Sequence, residues 1–170
     1  AIEATGRGYR TAAGCRAVFY SNTTGNYNTA SGSQALYYNT TGWYNAASGY
    51  RALYSNTTGS SNTASGASAL LSNTTGWYNT ASGSQALYSN TTGAANTAAG
   101  FQALSANTTG LYNTASGLGA LYSNTTGSRN AALGFYAGAA ATTGSDNVFV
   151  GADVIGTAAD TNLIRIGRAY

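Results

Sequence analysis

Asn-Thr-Thr-Gly begins at Asn22 and returns at Asn39, Asn56, Asn73, Asn90, Asn107 and Asn124, always at the same seventeen-position step. An altered copy, Ala141-Thr142-Thr143-Gly144, continues the series. Between these marks runs Asn-Thr-Ala-Ser-Gly, as at Asn28 to Gly32 and Asn79 to Gly83. Ala-Leu-Tyr follows it, as at Ala35 to Tyr37 and Ala86 to Tyr88. A fixed period of this kind makes each segment one unit stacked on the next. The period is too short for a helical-hairpin repeat, and Leu and Ala do not recur at helical i, i+3, i+4, i+7 spacing. Each unit also holds two glycines and an Asn-rich turn, which break helices. The expected fold is all-β: a parallel β-solenoid (β-helix or β-roll) with one coil per seventeen-residue period. Each coil climbs by one strand spacing, ~4.8 Å.

The spacing predicts two short strands per coil, one around Tyr-Asn-Thr-Ala-Ser and one around Gln-Ala-Leu-Tyr. Ser-Asn-Thr-Thr-Gly makes one turn, with Asn and Gly suited to positive φ, and Gly32 and its equivalents make the other. Residues 1–140 form the repeat array, with an irregular first coil over 1–21, and 141–170 are divergent terminal coils.

Stacking places each residue above its equivalent in the previous coil, so like residues form ladders. Asn28, Asn45, Asn62, Asn79, Asn96, Asn113, Asn130 and Asn147 make an unbroken amide column, and stacked amides hydrogen-bond along such an axis. Leu36, Leu53, Leu70, Leu87, Leu104 and Leu121 make an apolar column, and Ala30 through Ala132 a tight one. These constant columns are the expected interior. Variable columns point outward and carry aromatics, and Tyr27, Trp43, Tyr44, Trp77, Tyr78 and Tyr112 form a candidate contact surface. One Leu among small residues makes a thin core, so burial of these rings between chains argues for a homo-oligomer with closed symmetry, a trimer by preference.

From Gly127 the pattern drifts to Asn130-Ala131-Ala132-Leu133-Gly134, then to Asn147-Val148-Phe149-Val150-Gly151 and Asn162-Leu163-Ile164-Arg165-Ile166-Gly167. These segments resemble the Asn/Ser-Val-Ala-Ile-Gly coils of trimeric autotransporter adhesin heads, and more closely the head repeats of bacterial and phage tail-fibre proteins. The resemblance spans nearly the whole chain as periodic coils, but it is close only from Gly127 onward. It implies left-handed parallel β-rolls, trimeric assembly, surface exposure and adhesion. The coils here are longer than the usual head repeat, and Thr and Ser replace its Val/Ile pair.

The chain has no His, Lys, Met or Pro, and only 6% of its residues are charged. The usual general bases and zinc ligands are therefore missing, and no enzyme and no cofactor is expected. The net charge of +3 rests on seven Arg without a dense basic stripe, so nucleic acid is not an expected partner. No run reaches the ~18 apolar residues of a membrane span. Asp146, Asp153 and Asp160 read as solvated acids on a capping coil in preference to a calcium site. Cys15 reads as an incidental thiol in preference to a bridge between chains. The chain begins at Ala1, which suggests a processed product or fragment.

Asn-Thr-Thr is also an N-glycosylation sequon. Asn22, Asn39, Asn56, Asn73, Asn90, Asn107 and Asn124 are therefore candidate glycan sites, alongside their adjacent Thr. The expected role is a structural and adhesive fibre segment at the cell or virion surface, or otherwise extracellular, with itself, a glycan or another surface as partner. One alternative is a glycan-coated filament subunit that joins end to end through the apolar last coils. Another is an ice-binding protein, against which the adjacent placement of Thr23 and Thr24 in a turn counts.

Overall fold

Thr-Ala-Ser sends a β-branched side chain and a small hydroxyl to one side and a methyl to the other, and it forms the regular strand of a typical coil. The structure, a computed structural model, describes residues 10–13 and 19–167. Among these residues are ten strands: β1 (Arg10–Ala13), β2 (Asn28–Ser31), β3 (Ala46–Ser48), β4 (Thr63–Ser65), β5 (Thr80–Ser82), β6 (Thr97–Ala99), β7 (Thr114–Ser116), β8 (Ala131–Leu133), β9 (Val148–Val150) and β10 (Ile164–Ile166). They make one parallel sheet in chain order. Thr63 pairs with Thr80, Ala64 with Ala81 and Ser65 with Ser82, so equivalents stack as the period requires. The remainder of each coil is the crossover that a parallel pair needs. The first step, with Arg10 opposite Asn28, is longer than the period by a single position. The last step, with Val148 opposite Ile164, is shorter by as much. Both irregularities are absorbed outside the strands. The chain is an all-β solenoid. Glu3, Arg7, Cys15 and Arg16 lie outside the described residues.

Among the described residues the second expected strand of each coil is absent. The Gln-Ala-Leu-Tyr segment is a pair of turns, closed by Ala35 N–H on Gly32 O (3.4 Å) and Asn39 N–H on Leu36 O (3.3 Å). Gln34 and Leu36 sit at φ 61° and 50°. The reason lies in the core. Ala35 and Leu36 are both fully buried, yet a strand would point neighbours to opposite faces. The left-handed kinks turn both inward. A non-glycine residue there costs roughly 1–2 kcal/mol. Full burial of a leucine returns about 1.5–3 kcal/mol, and the inter-coil bond from Leu36 N–H to Ala52 O (3.0 Å) is kept.

The Asn-Thr-Thr-Gly turn also differs from expectation. Its Asn and Gly avoid positive φ, which falls on the residue before each asparagine of the Asn28 column: Tyr27, Tyr44, Tyr78 and Tyr112 at 55–57°. Its glycine is required by proximity. A Cβ on Gly42 would lie 2.3 Å from Gly59 O and 2.5 Å from Asn39 Oδ1.

Each full coil thus contributes two Ala and one Leu to the interior, as in Ala81, Ala86 and Leu87. Near the C-terminal end the sizes exchange. Gly138 takes the Leu position and Phe149 the Ala position, and the Phe149 ring would lie 2.5 Å from a Cβ on Gly138. The phenyl fills what the absent leucine leaves. Arg165 follows Phe149 in register and anchors its guanidinium on Ile155 O at 2.9 Å, which ends the apolar interior.

Candidate functional site

Two amide ladders run along the coil. The column from Asn28 to Asn147 is buried throughout, as the sequence leads one to expect. Asn79 is typical. Its backbone N–H donates to Asn62 Oδ1 (3.0 Å), and its Nδ2 donates to Asn62 Oδ1 (3.2 Å) and Gly93 O (2.8 Å). Its own Oδ1 accepts from Asn96 N and Nδ2. The Leu column is buried as expected from Leu36 through Leu121.

The second ladder is the sequon asparagines. Asn39, Asn56, Asn73, Asn90, Asn107 and Asn124 are fully buried, and Asn22 is part-buried. Asn56 Nδ2 donates to Asn39 Oδ1 (2.7 Å) and to Gly59 O (2.9 Å), so both of its hydrogens are used. Gly59 O also accepts from Asn45 Nδ2 (2.8 Å), which ties the ladders to one carbonyl. An N-linked sugar needs that nitrogen and a path to solvent. As glycan sites, Asn39 through Asn124 are therefore corrected: in the folded coil they are core rungs. The ladder stops where Ala141 replaces asparagine, and Asn124 Oδ1 is left buried without a partner.

The threonines beside them have two roles. Thr40, Thr41 and Gly42 N–H all point at Thr57 O (2.9, 3.1 and 3.3 Å), and Thr40 Oγ1 adds a fourth donor at 2.9 Å. Successive N–H groups converging on one oxygen form an anion-type nest, here filled by the next coil. The second threonine of each turn, Thr24, Thr41, Thr58, Thr75, Thr92, Thr109 and Thr126, is exposed. Sequence alone separates these roles only when the coil geometry is known.

Three parts of the outward surface bear on partners. The candidate contact residues Tyr27, Trp43, Tyr44, Trp77, Tyr78 and Tyr112 are all exposed, with Trp43 at 41% and Trp77 at 48%. Tyr27 stacks on Tyr44 (4.9 Å, 3°), and Trp77 meets Tyr78 edge-on at 5.2 Å. A second aromatic column, missed from sequence, stacks Tyr20 on Tyr37 (4.9 Å) and Tyr37 on Tyr54 (5.4 Å). Arg51 lies 5.2 Å from the Tyr54 centroid. The strand face is the third part. It exposes Thr63, Thr80, Thr97 and Thr114 in line, beside Ser65 and Ser82.

The ion pairs among the described residues lie near the C-terminal end. Arg129 grips Asp146 through two hydrogen bonds (2.6 and 2.7 Å), which hold that carboxyl below its ordinary range. Hydrogen bonds from Thr157 do the same for Asp160, with Arg165 nearby at 3.5 Å. Among the described residues no three His, Cys, Asp or Glu come together, and no helix is long and apolar enough to cross a membrane.

No protein-family profile, curated protein or solved structure matches this chain.

Proposed function

We propose that the chain is a non-catalytic, extracellular structural and adhesive segment of a cell- or virion-surface fibre. The observation that carries this is the exposed aromatic stripe through Trp43, Tyr44, Trp77 and Tyr78 on a scaffold stiffened by two amide ladders. Large apolar patches on such a sparsely charged surface favour association. A homotrimer buries the stripe between subunits, and the likeness to adhesin and tail-fibre heads supports that symmetry. End-to-end joining is the competing arrangement. It draws on Ile164 and Ile166, which are 70% and 74% exposed on β10, an edge strand among the described residues, and an edge strand offers backbone groups for pairing. Sugars on such a filament would be O-linked to the exposed threonines.

Replacing Trp43 and Trp77 with serine should shift the assembly to smaller species while leaving the β signal intact, as read by light scattering and circular dichroism. The two rings stand two coils apart, ~10 Å along the axis. Unchanged mass, with parental Trp fluorescence already that of a water-exposed indole, would move the stripe from subunit contact to ligand-binding face.

A second reading has its own observation. Thr63, Thr80, Thr97 and Thr114 stand in register on the strand face, one per coil, at ~4.8 Å. The objection drawn from Thr23 and Thr24 does not touch this row. Ordered hydroxyls on a β-face suit an ice surface. Thermal hysteresis that is abolished by Thr80→Tyr would favour this reading, and no hysteresis in the parent would end it.

A further inference from the structure

The second aromatic column holds Tyr20, Tyr37 and Tyr54, then Leu71, Tyr88, Ser105 and Tyr122. Where three tyrosines follow one another, their rings stack. At Ser105 one ring is missing between two that are present. The result is a cleft of about 400 Å³ lined by Gln85, Tyr88, Ser89, Gln102, Ser105, Ala106 and Tyr122. That volume lies within the range of small-molecule sites, ~300–1,000 Å³. Tyr88 and Tyr122 stand two coil rises apart, ~9.6 Å. One six-membered ring has room between them, roughly half that spacing from each tyrosine.

The lining identifies the chemistry of that ring. No lining residue is charged, so an ionic ligand gains nothing there. Tyrosines flank the gap, and Ser89 and Ser105 add hydroxyls. Gln102 Nε2 donates to Gln85 Oε1 (2.8 Å) across adjacent coils. This leaves Gln85 Nε2 and Gln102 Oε1 as a donor and an acceptor among the lining groups. The backbone beneath is the same as in filled coils, with Ser89 N–H on Ser105 O (3.0 Å) and Ala106 N–H on Tyr122 O (3.1 Å). The slot is therefore preorganised, which lowers the cost of binding. A ring with apolar C–H faces and a rim of hydroxyls matches tyrosine faces plus an amide pair. An aromatic side chain would leave the amides unpaired.

We infer that the Ser105 cleft is a subsite for one neutral pyranose unit of a glycan. This deepens the proposed adhesive role and rests on it for its biological sense, but a single chain suffices to bind, whatever the assembly. The test is saturation-transfer NMR on the full chain with glucose, galactose, mannose and N-acetylglucosamine, each alone, and with phenol as the aromatic probe. At least one sugar should receive saturation in the parent and in Ser105→Ala, which keeps the cleft open. Ser105→Tyr restores the missing ring, as coils with a stacked tyrosine already tolerate, and should abolish the transfer. No transfer to any sugar, equal transfer with Ser105→Tyr, or transfer to phenol alone would each overturn the assignment. Oligomer mass measured in parallel separates the outcomes: a parent that keeps its assembled mass but transfers to no sugar condemns the subsite and leaves the fibre standing.

Discussion

Asn79→Leu is expected to destabilise the chain by about 3–5 kcal/mol, from lost hydrogen bonds of ~1 kcal/mol each plus an orphaned buried N–H worth ~1–3 kcal/mol. The substitution removes both Nδ2 bonds and the Oδ1 acceptor of Asn96 N–H, whose backbone is buried in the next coil. Gly93 O suffers less, because Asn90 Nδ2 still reaches it at 2.9 Å. Leucine also brings volume into a closely stacked column. For a chain of this size the melting temperature should fall by roughly 6–20 °C. Asn62 and Asn79 share an oxygen, so their double replacement should cost less than the sum of the singles. An unchanged melting temperature for Asn79→Leu would mean that the column is wet.

Gly83→Ala should be at least as damaging, by a different route. Gly83 has φ 142°, a region that L-residues avoid. A Cβ there would lie 2.4 Å from Gly100 O and 2.6 Å from Gly100 C, both main-chain atoms of the next coil. No rotamer relieves a backbone clash, so the coils must part or the turn must refold. Strained φ alone costs ~1–3 kcal/mol, and the separated coils lose bonds on top. Hydrogen exchange should show protection lost first at Gly100 N–H, which donates to Ser82 O at 2.8 Å. Ser84→Ala, next door and half-buried, is the control and should melt like the parent. If Gly83→Ala keeps full protection, the close approach of these two glycines is wrong.

What the sequence made legible was whatever stacking repeats. Asn28, Ala30 and Leu36 each meet a copy of themselves, and their constancy along the chain went with burial, although the equally constant second threonine, Thr24 to Thr126, is exposed. The second strand was misread because Gln-Ala-Leu-Tyr has an ordinary strand composition, and the left-handed kinks at Gln34 and Leu36 leave little trace in residue type. A trace does exist: Gly119 and Gly138 occupy those same columns at φ 64° and 63°. The sequon asparagines failed for the opposite reason. Asn-Thr-Thr spells a surface signal in one context and a rung in another. Its constancy from Asn22 to Asn124 is the same mark that placed the Asn28 column inside. The Ser105 cleft was invisible, because a serine among tyrosines becomes a gap only when the column is known to be a stack.

The uniform register between β2 and β9 has a consequence for how such a chain can change its size. Each coil presents the next with the same carbonyl, the same amide and the same methyl, so removing one whole period leaves two faces that still match. Stability in such arrays grows as a sum over units and their shared faces. Reach is therefore a quantity that can be set by counting: one duplicated or excised stretch of coding sequence moves the tip by about 4.8 Å without redesigning the cross-section. The molecule behaves as a ruler with interchangeable graduations. Among the described residues an overlong step, from Arg10 to Asn28, and a short one, from Val148 to Ile164, bound the stretch of uniform spacing.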